Sequence, residues 1–513
     1  MRITPLKRKT ITPVQKVVIV VGLIFVILAS TYIGIFAYAI QDYNSFTRDL
    51  EPPDSSNFLS QNSSRLYAMA MWYEKNIAEH HMPHNMIVDA RFDTDQEGGS
   101  VIGYGTHGDS AEWTGNYLAA EASRYSVHMR EGNLTLAQWT LKNITKALNG
   151  IEKILYVADY DGMARYAWPI DEYPYNPSVL PDNHYLGSWN GTQYILEDDT
   201  SRDMHNGVIM GLGYAYLVVE DSETRLYIKS LVERMLDVLI TQGFLYLNPE
   251  GLPNGTDLDV GLGLIGTSGV WTLAYLKVGA LVNPEKYGDL YEKYALNLDY
   301  VWRGNMPETS GLNTVQGYYG LLLDWEVMFI LIMLEDDTVL RQIYLEYLGG
   351  IYDLIKYDRN ALFNCMWLIV NGINKTNEPS DMDVVGDVTD CLMRYYGAQQ
   401  RLPGRDVPLN NDDITNPTST KWLNFFENGL GSKLYPFHKE VFEFENISNV
   451  PLTPDKRPQT DYLWSRPPYW YYETNPTGTY EGPGVDYIIV YWMARLYGII
   501  EPPTDVDAQI EVV

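Results

Sequence analysis

Two kinds of predicted helix alternate along the chain from Ser56 onward. Helices of the first kind begin near Gly and are apolar around most of their circumference, which predicts burial on all sides. They are TGNYLAAEASRY, NGVIMGLGYAYLVV, GTSGVWTLAYLKVGA, QGYYGLLLDWEVMFILIML and GPGVDYIIVYWMARLYG. The segments that follow them, such as SETRLYIKSLVERMLDVLI, have one apolar and one charged face. Repetition of a buried and an amphipathic helix predicts an inner and an outer layer of paired helices.

The same periodicity gives bounds for the predicted helices. They are 57–80, 110–130, 135–157, 203–220, 223–244, 262–279, 285–303, 315–334, 337–357, 387–397, 418–429 and 485–497. Alternating β-rich runs are scarce, so the sequence predicts an all-α fold. Short strand pairs are expected only in the polar stretches near 165–200 and 430–480, where Tyr, Pro and Trp cluster.

The N-terminal run from Val17 to Ile40 is uncharged and long enough to cross a hydrocarbon core of about 30 Å. Basic residues precede it and acidic residues dominate after it, so the positive-inside rule leaves the N-terminus cytoplasmic and the rest outside. A cleaved signal peptide is the alternative, because Ala37-Tyr38-Ala39 resembles a cleavage site, but the run is longer than a usual signal core. The segment 317–334 is not a second span, because Asp324 and Glu326 would be costly in lipid.

Composition narrows the class of partner. The chain is 46% hydrophobic and 13% aromatic, which is ample for a large core. Its formal net charge of -29 disfavours nucleic acid, because phosphate binding needs a basic surface. The sequence has no P-loop, no GxGxxG between a strand and a helix and no GxSxG elbow, so nucleotide and serine-hydrolase chemistry lose support. A neutral or cationic partner fits better.

The segments SRDMHNGVIMGLGYAY and RPPYWYYETNPTGTYEGPGVDYIIVYWMARLYG show the Gly-opened pattern most clearly. In them the chain resembles the six-hairpin (α/α)6 toroids of glycoside hydrolases and polysaccharide lyases. The resemblance covers residues 56–500 and concerns architecture, because no complete catalytic motif of one family is matched. It implies a toroid of paired inner and outer helices with a carbohydrate-binding cleft at one mouth, formed by the loops that enter the inner helices.

These boundaries divide the chain into five parts. They are a basic cytoplasmic tail (1–16), a transmembrane anchor (17–40), a linker (41–55), an extracellular toroid (56–500) and a C-terminal tail (501–513).

Candidate site residues stand where the predicted inner helices begin. In GDSAEWTG, Asp109 and Glu112 have the spacing of a capping box, which explains both residues without any chemistry. At the mouth of a toroid the same residues, with Trp113, would face a sugar. In EDDTSRDMHNG, Asp203 either interacts favourably with the positive N-terminal end of the helix dipole or acts as a catalytic carboxylate. Arg202 and His205 beside it would bind an acidic sugar or shift the carboxyl pKa.

A third constellation precedes the last inner helix. Arg466 stands among the aromatic residues Trp464 and Trp470, which are candidate stacking platforms for sugar. Glu481 is a further candidate catalytic carboxylate, and Asp486 a candidate for substrate binding. Packing of this loop against the rim of the fold is the alternative interpretation.

Glycoside hydrolysis needs two carboxyl groups across the scissile bond, roughly 5–5.5 Å apart for retention and 6.5–9.5 Å for inversion. The first hypothesis is therefore a glycosidase in which Asp109 or Glu112 faces Asp203. A uronate lyase, with a Tyr or His base and an Arg for the carboxylate, is less favoured. A non-catalytic glycan-binding or envelope protein would suit the high Tyr content and acidity equally well.

Three further features concern modification and metals. Sequons for N-glycosylation stand at Asn62, Asn133, Asn143, Asn190, Asn254, Asn374 and Asn446. Cys365 and Cys391 form either one disulfide or two separate buried thiols. No zinc spacing is present, so no cofactor is predicted. The acidic stretches 381–390 and 410–413 could hold Ca²⁺, although a solvated acidic surface is the favoured interpretation.

Overall fold

The computed structural model describes residues 22, 27–35, 38, 52–96, 98–105, 107–158, 160–248, 251–258, 268–298, 300–303, 318–372, 382–395, 450–457, 462–469 and 477–504. The chain divides into two units, Met1–Asp49 with Asn416–Glu445 and Leu50–Thr415 with Asn446–Val513. Most of the predicted anchor and the predicted helix 418–429 lie outside the described residues. Among the described residues, no helix combines the length and apolar character needed to cross a membrane.

The larger unit is mostly helical, as the all-α prediction requires. Six of the helices in the described residues are buried around most of their circumference. These buried helices are α2 (Ser110–Arg130), α4 (Arg202–Val218), α6 (Ser268–Val282), α9 (Tyr318–Leu334), α11 (Ala361–Asn371) and α13 (Val485–Leu496). Amphipathic helices alternate with them along the chain. These are α1 (Ser63–Asn76), α3 (Leu134–Tyr156), α5 (Ser222–Thr241), α7 (Pro284–Glu292), α10 (Thr338–Ile355) and α12 (Val384–Tyr395), and a single turn, α8 (Tyr300–Arg303), follows α7.

Short polar side chains fix where several of the amphipathic helices begin. Asn62 accepts a hydrogen bond from the Arg65 amide at the start of α1. Asp221 caps α5 by accepting from the Thr224 amide at 2.8 Å, and Asp337 caps α10 by accepting from two amides of its first turn. These caps satisfy helix N–H groups that otherwise lack an intrahelical partner.

The buried helices contact one another in chain order. α2 contacts α4, α4 contacts α6, α6 contacts α9, α9 contacts α11 and α11 contacts α13, which in turn contacts α2. Glycines bring α2 and α4 especially close: a Cβ on Gly115 would lie 2.0 Å from the carbonyl oxygen of Gly207, and one on Gly211 would lie 2.2 Å from that of Gly115. Only glycine allows this backbone approach.

Three small antiparallel sheets lie between the helices. The first has the order β2–β1–β8, with β1 at Asp89–Phe92, β2 at Val101–Gly105 and β8 at Tyr480–Glu481. The second has the order β3–β5–β4, with β3 at Tyr166–Pro169, β4 at His184–Trp189 and β5 at Thr192–Glu197. The third pairs β6 (Leu245–Leu247) with β7 (Pro253–Asp257). The second sheet confirms the predicted strands near 165–200, whereas the β1–β2 hairpin was not predicted.

Candidate functional site

Polar side chains of neighbouring buried helices contact one another. Trp271 of α6 donates through Nε1 to Oδ1 of Asp324 in α9 at 3.0 Å. The hydroxyl of Tyr275, also in α6, donates to Oδ1 of Asn206 in α4. Buried polar groups need such partners, because an unpaired one is costly. Residues of α4, α6 and α9 therefore share one polar region.

Glu326 joins this polar region to α2. Its Oε1 accepts a hydrogen bond of 2.8 Å from Nδ2 of Asn116, which is 210 residues away in the sequence. Glu326 is fully buried. Its other carboxyl oxygen, Oε2, has no hydrogen-bond partner within the described part of the chain. One oxygen is thus held by Asn116, while the hydrogen-bonding capacity of the other, buried oxygen is not met by the described residues.

Burial keeps the carboxyl group of Glu326 protonated at neutral pH. It raises the pKa of this carboxyl group to about 8, because the charged form loses its hydration. The amide of Asn116 stabilises the anion and lowers the pKa, whereas the negative charge of Asp203 raises it. Asp203, in the first turn of α4, is only half-buried. A neutral carboxylic acid and a second carboxyl group therefore interact electrostatically in this region.

An aromatic pair holds Asn116 in place. The hydroxyl of Tyr462 donates to Oδ1 of Asn116 at 3.3 Å. The ring of Tyr462 stacks on Trp113, with centroids 4.2 Å apart and planes 1° from parallel. Nε1 of Trp113 is buried and has no hydrogen-bond partner among the described residues. This donor, like Oε2 of Glu326, is a buried polar atom for which the described residues supply no hydrogen bond.

The half-buried start of α4 supplies the other groups of the region. The guanidinium of Arg202 lies 5.7 Å from the ring centre of Trp271. Nδ2 of Asn206 is buried and has no hydrogen-bond partner in the described part of the chain. We call Trp113, Asn116, Asp203, Asn206 and Glu326 the mouth cluster.

The predicted residues of the opening motif occupy two different situations. Asp109 precedes α2 as the N-cap residue, but its side chain makes no capping hydrogen bond, so the expected capping box is not formed. Glu112 is buried, and its negative charge raises the pKa of Tyr462. Glu112 therefore lies near the mouth cluster.

His205 does not join the mouth cluster. Its Nδ1 lies 3.0 Å from the carbonyl oxygen of Ser201, and its ring meets Tyr246 edge-on at 5.6 Å. It lines a small pocket together with Met163 and residues of α5. Burial lowers its pKa to about 4, so the imidazole is neutral at physiological pH. His205 was predicted to bind an acidic sugar as a cation, and a buried, neutral imidazole does not fit that role.

The carboxyl groups near the last buried helix are engaged by the protein. Oε1 of Glu481 accepts from Asn76 at 2.5 Å and lies 3.0 Å from Nε2 of His81. Oδ2 of Asp486 accepts from the amide of Leu463 at 2.7 Å. Burial raises the pKa of Asp486 to about 7. Glu481 joins β8 to Asn76 and His81. Asp486 holds the segment that carries Tyr462.

The predicted aromatic platform is part of the core instead. Trp464 is fully buried and donates through Nε1 to the backbone oxygen of Asp486 at 2.6 Å. A ring with no exposed face cannot stack on a sugar, so Trp464 is not a platform. Arg466 is half-buried at the end of the same short segment. Trp470 lies outside the described residues.

The cysteines are two separate buried thiols, the second of the two expected alternatives. Sγ of Cys391 donates to the carbonyl oxygen of Arg359 at 3.4 Å. In the described part of the acidic stretch 381–390, Asp383 is exposed as a solvated surface requires, whereas Asp387 and Asp390 are fully buried and pair with Arg359. No group of His, Cys, Asp and Glu side chains in the described residues has the arrangement of a metal site. The stretch 410–413 lies outside those residues.

Most of the mouth cluster was not predicted as a site. Asn116, Asn206 and Glu326 stand deeper inside the predicted helices than the candidates Glu112, Trp113 and Asp203, which stand near the helix starts. The available signal was the pair of acidic residues, Asp324 and Glu326, in the otherwise apolar helix α9. It served only to exclude a membrane span.

The chain matches no family model, no curated protein and no solved structure.

Proposed function

We propose that the larger unit is an (α/α)6 toroid. The support is the order of helix contacts, in which each buried helix touches the next along the chain and α13 touches α2. The six amphipathic helices that alternate with them would form the outer layer. Gly115 and Gly211 allow α2 and α4 to approach closely, as an inner layer of parallel helices requires. In this arrangement Trp113, Asp203 and Asn206 lie near the starts of inner helices, and Glu326 lies at the middle of α9.

We infer that the protein is a glycoside hydrolase with Glu326 as its general acid. The observation that carries this inference is a buried carboxyl group, protonated at neutral pH, with one oxygen held by Asn116 and the other without a partner in the described residues. Such an acid can protonate the oxygen of a leaving sugar. Asp203, half-buried and close enough to perturb Glu326, is the second carboxylate, either as base for a water molecule or as nucleophile. Glu326 thus replaces Asp109 and Glu112 as the partner of Asp203.

The remaining polar atoms of the mouth cluster fit a sugar. Nδ2 of Asn206 and Nε1 of Trp113 are buried donors that a sugar hydroxyl would satisfy. The apolar run from Val17 to Ile40 would anchor the protein in the membrane with its N-terminus in the cytoplasm and the toroid outside. The site would then act on extracellular carbohydrate.

The test is product release from a panel of neutral and acidic polysaccharides by the full-length protein in a mild detergent. We expect new reducing ends with the wild type, and a loss of about 10²–10⁴ in rate with Glu326→Gln and with Asp203→Asn. Glu346→Gln, which changes an exposed carboxylate on α10, is the matched control and should retain full activity.

Other outcomes reject the hydrolase in defined ways. Unsaturated products would identify a lyase, for which Tyr275, whose hydroxyl donates to Asn206 of the mouth cluster, is the candidate base. No product from any polysaccharide, with the protein folded, would favour a glycan-binding or envelope protein. Full activity in Glu326→Gln would remove Glu326 from the mechanism.

A further inference from the structure

A row of aromatic and histidine rings lies on the second small sheet and the segments beside it. We call it the ring row and define it as Tyr104, His107, Trp168, Tyr173, Tyr175 and His184. His107 meets Trp168 at 4.9 Å, and Trp168 stacks on His184 at 5.8 Å with planes 17° apart. Trp168 also contacts Tyr173, which contacts Tyr175, in each case at 5.5 Å. The rings thus form a continuous series over several elements.

Tyr104 stands at the other end of the row. It comes three residues before His107 in the sequence, and the imidazole of His84 links Glu172 to the hydroxyl of Tyr166, with contacts of 2.8 Å and 2.9 Å. Tyr166 in turn contacts His107 at 4.9 Å. Tyr104 is 37% exposed and Tyr175 is 65% exposed, whereas Trp168 between them is buried. The row therefore has a buried centre and two accessible aromatic ends.

The ring row is tied to the entrances of α2 and α4. Arg165, directly before β3, donates through NH1 to the carbonyl oxygen of Gly108 at 3.3 Å and through Nε to that of Asp199 at 2.6 Å. Gly108 precedes the first turn of α2, which carries Trp113, and Asp199 precedes Asp203 in α4. The row therefore lies beside the segments that lead into α2 and α4.

The chemistry of the row fits a neutral saccharide. Accessible aromatic rings offer faces to the apolar side of a sugar, and the exposed carboxylate of Glu172, whose Oε2 lies 2.8 Å from Nε2 of His84, is an acceptor for a sugar hydroxyl. Burial lowers the pKa of His107 to about 4, so this half-buried imidazole stays neutral at pH 7. A net charge of -29 disfavours an anionic ligand.

We propose that the ring row is a second saccharide-binding region, which holds sugar units outside the mouth and selects long over short oligosaccharides. This inference rests on the proposed carbohydrate function. Tyr104 and Tyr175 would contact the distal units, and Glu172 would accept hydrogen bonds from their hydroxyls. The substrate is then a polymer, because a mono- or disaccharide would fill the mouth without reaching the row.

The test measures binding, so that it does not depend on turnover. The full-length Glu326→Gln protein in detergent is titrated calorimetrically with neutral gluco-, xylo- and chito-oligosaccharides of two and six units. We expect Tyr104→Ala and Tyr175→Ala each to weaken hexasaccharide binding about fivefold and to leave disaccharide binding unchanged. Tyr104→Phe should retain the affinity, because the stacking face remains. Trp139→Ala, which removes an exposed ring on α3, is the control and should change neither.

The outcomes separate the two proposals. Equal affinity of the alanine variants and the parent for every hexasaccharide would overturn the ring row, even if the hydrolase is confirmed by its own experiment. Equal losses for disaccharides and hexasaccharides would also overturn it, because the row would then not be distal. Absence of binding to all probes would reject the row. A length-dependent loss without hydrolysis by the wild type would support the row and reject the hydrolase.

Discussion

At the scale of single residues, Glu326 combines burial with incomplete hydrogen bonding. A buried carboxylate is costly in free energy unless it is paired, and the described residues near it supply an amide rather than a cation. The protein resolves this conflict by keeping the group protonated, as its pKa of about 8 indicates. The same property that makes Glu326 a poor contributor to stability at high pH makes it a suitable general acid.

The carboxyl group of Glu326 should make the free energy of unfolding depend on pH. Its pKa is higher in the folded state than in the unfolded chain, where it is about 4.3. The stabilisation from the bound proton is therefore complete below the unfolded pKa and is lost as the pH rises through the folded value of about 8. We expect the melting temperature of the wild type to fall between about pH 5 and pH 9 more steeply than that of Glu326→Gln.

Thermal unfolding of both proteins across this pH range checks the expectation. Asp486 has a pKa raised to about 7 and contributes in the same direction, so the comparison uses the difference between wild type and variant. Glu346→Gln is the control, because its exposed carboxylate should leave the wild-type slope intact. Parallel curves for wild type and Glu326→Gln would show that Glu326 is ionised in the folded protein.

The sequence showed where in the buried helices site residues stand better than it showed which residues form the site together. It placed Asp203 at the start of a buried helix, where the structure has it. Periodicity also placed Glu326 inside a buried helix, but it could not show that Asn116, 210 residues away, would be its partner. Asp109 and Glu112 matched a capping box by spacing, and only the backbone angles of Asp109 show that the box is not made.

At the scale of elements, long apolar or amphipathic periods predicted most helices closely. The segment 110–130 coincides with α2. Helix α11 was missed, because Ala361–Asn371 is a short apolar run in which periodicity does not distinguish helix from strand. The β1–β2 hairpin was missed as well, because pairing between Asp89–Phe92 and Val101–Gly105 depends on partners that local sequence does not specify.

The contact between α2 and α4 gives a prediction for these elements. Gly115→Ala should be strongly destabilising, because the new Cβ would lie 2.0 Å from the carbonyl oxygen of Gly207, and backbone cannot yield as a flexible side chain can. We expect a loss of about 3 kcal/mol or more in the free energy of unfolding, in the range of severe overpacking. Chemical denaturation of the purified variant measures it.

Gly350→Ala is the matched control within a helix. A Cβ on Gly350 of α10 meets no atom within 4 Å. The substitution should therefore stabilise the protein by about 0.5–1 kcal/mol, because alanine loses less backbone entropy than glycine. Equal stability of Gly115→Ala and the wild type would show that α2 and α4 are farther apart than the structure places them.

At the scale of the whole molecule, buried ion pairs connect elements that are distant in sequence. Arg124 of α2 pairs with Glu74 of α1 at 3.1 Å and with Glu121 at 3.3 Å. Trp492 of α13 donates to the same Glu74 at 2.7 Å. The first, second and last helices of the larger unit are thereby joined in one network. Because Glu74 and Trp492 are more than 400 residues apart in the sequence, the local sequence pattern could not predict this network.

This network bears on which sequons can carry a glycan. Asn143 is half-buried, and its Nδ2 donates to Glu121 at 3.0 Å, so the atom that would bear the sugar is used inside the fold. Asn190 is exposed at the tip of the β4–β5 hairpin, where Asn190 and Gly191 both have positive φ. An Asn-Gly pair with these angles forms a tight turn that presents its side chain to solvent.

If the larger unit is exported as proposed, a glycan should be found at Asn190 and not at Asn143. Peptide mass spectrometry of the full-length chain from a secretory eukaryotic host checks this. Thr192→Ala removes the first sequon and should abolish that modification, whereas Thr145→Ala removes the second and should leave the glycan pattern unchanged. An unmodified Asn190 in membrane-inserted protein would place the larger unit in the cytoplasm, because glycan transfer occurs only outside that compartment. A glycan on Asn143 would instead show that its bond to Glu121 is not formed when transfer takes place.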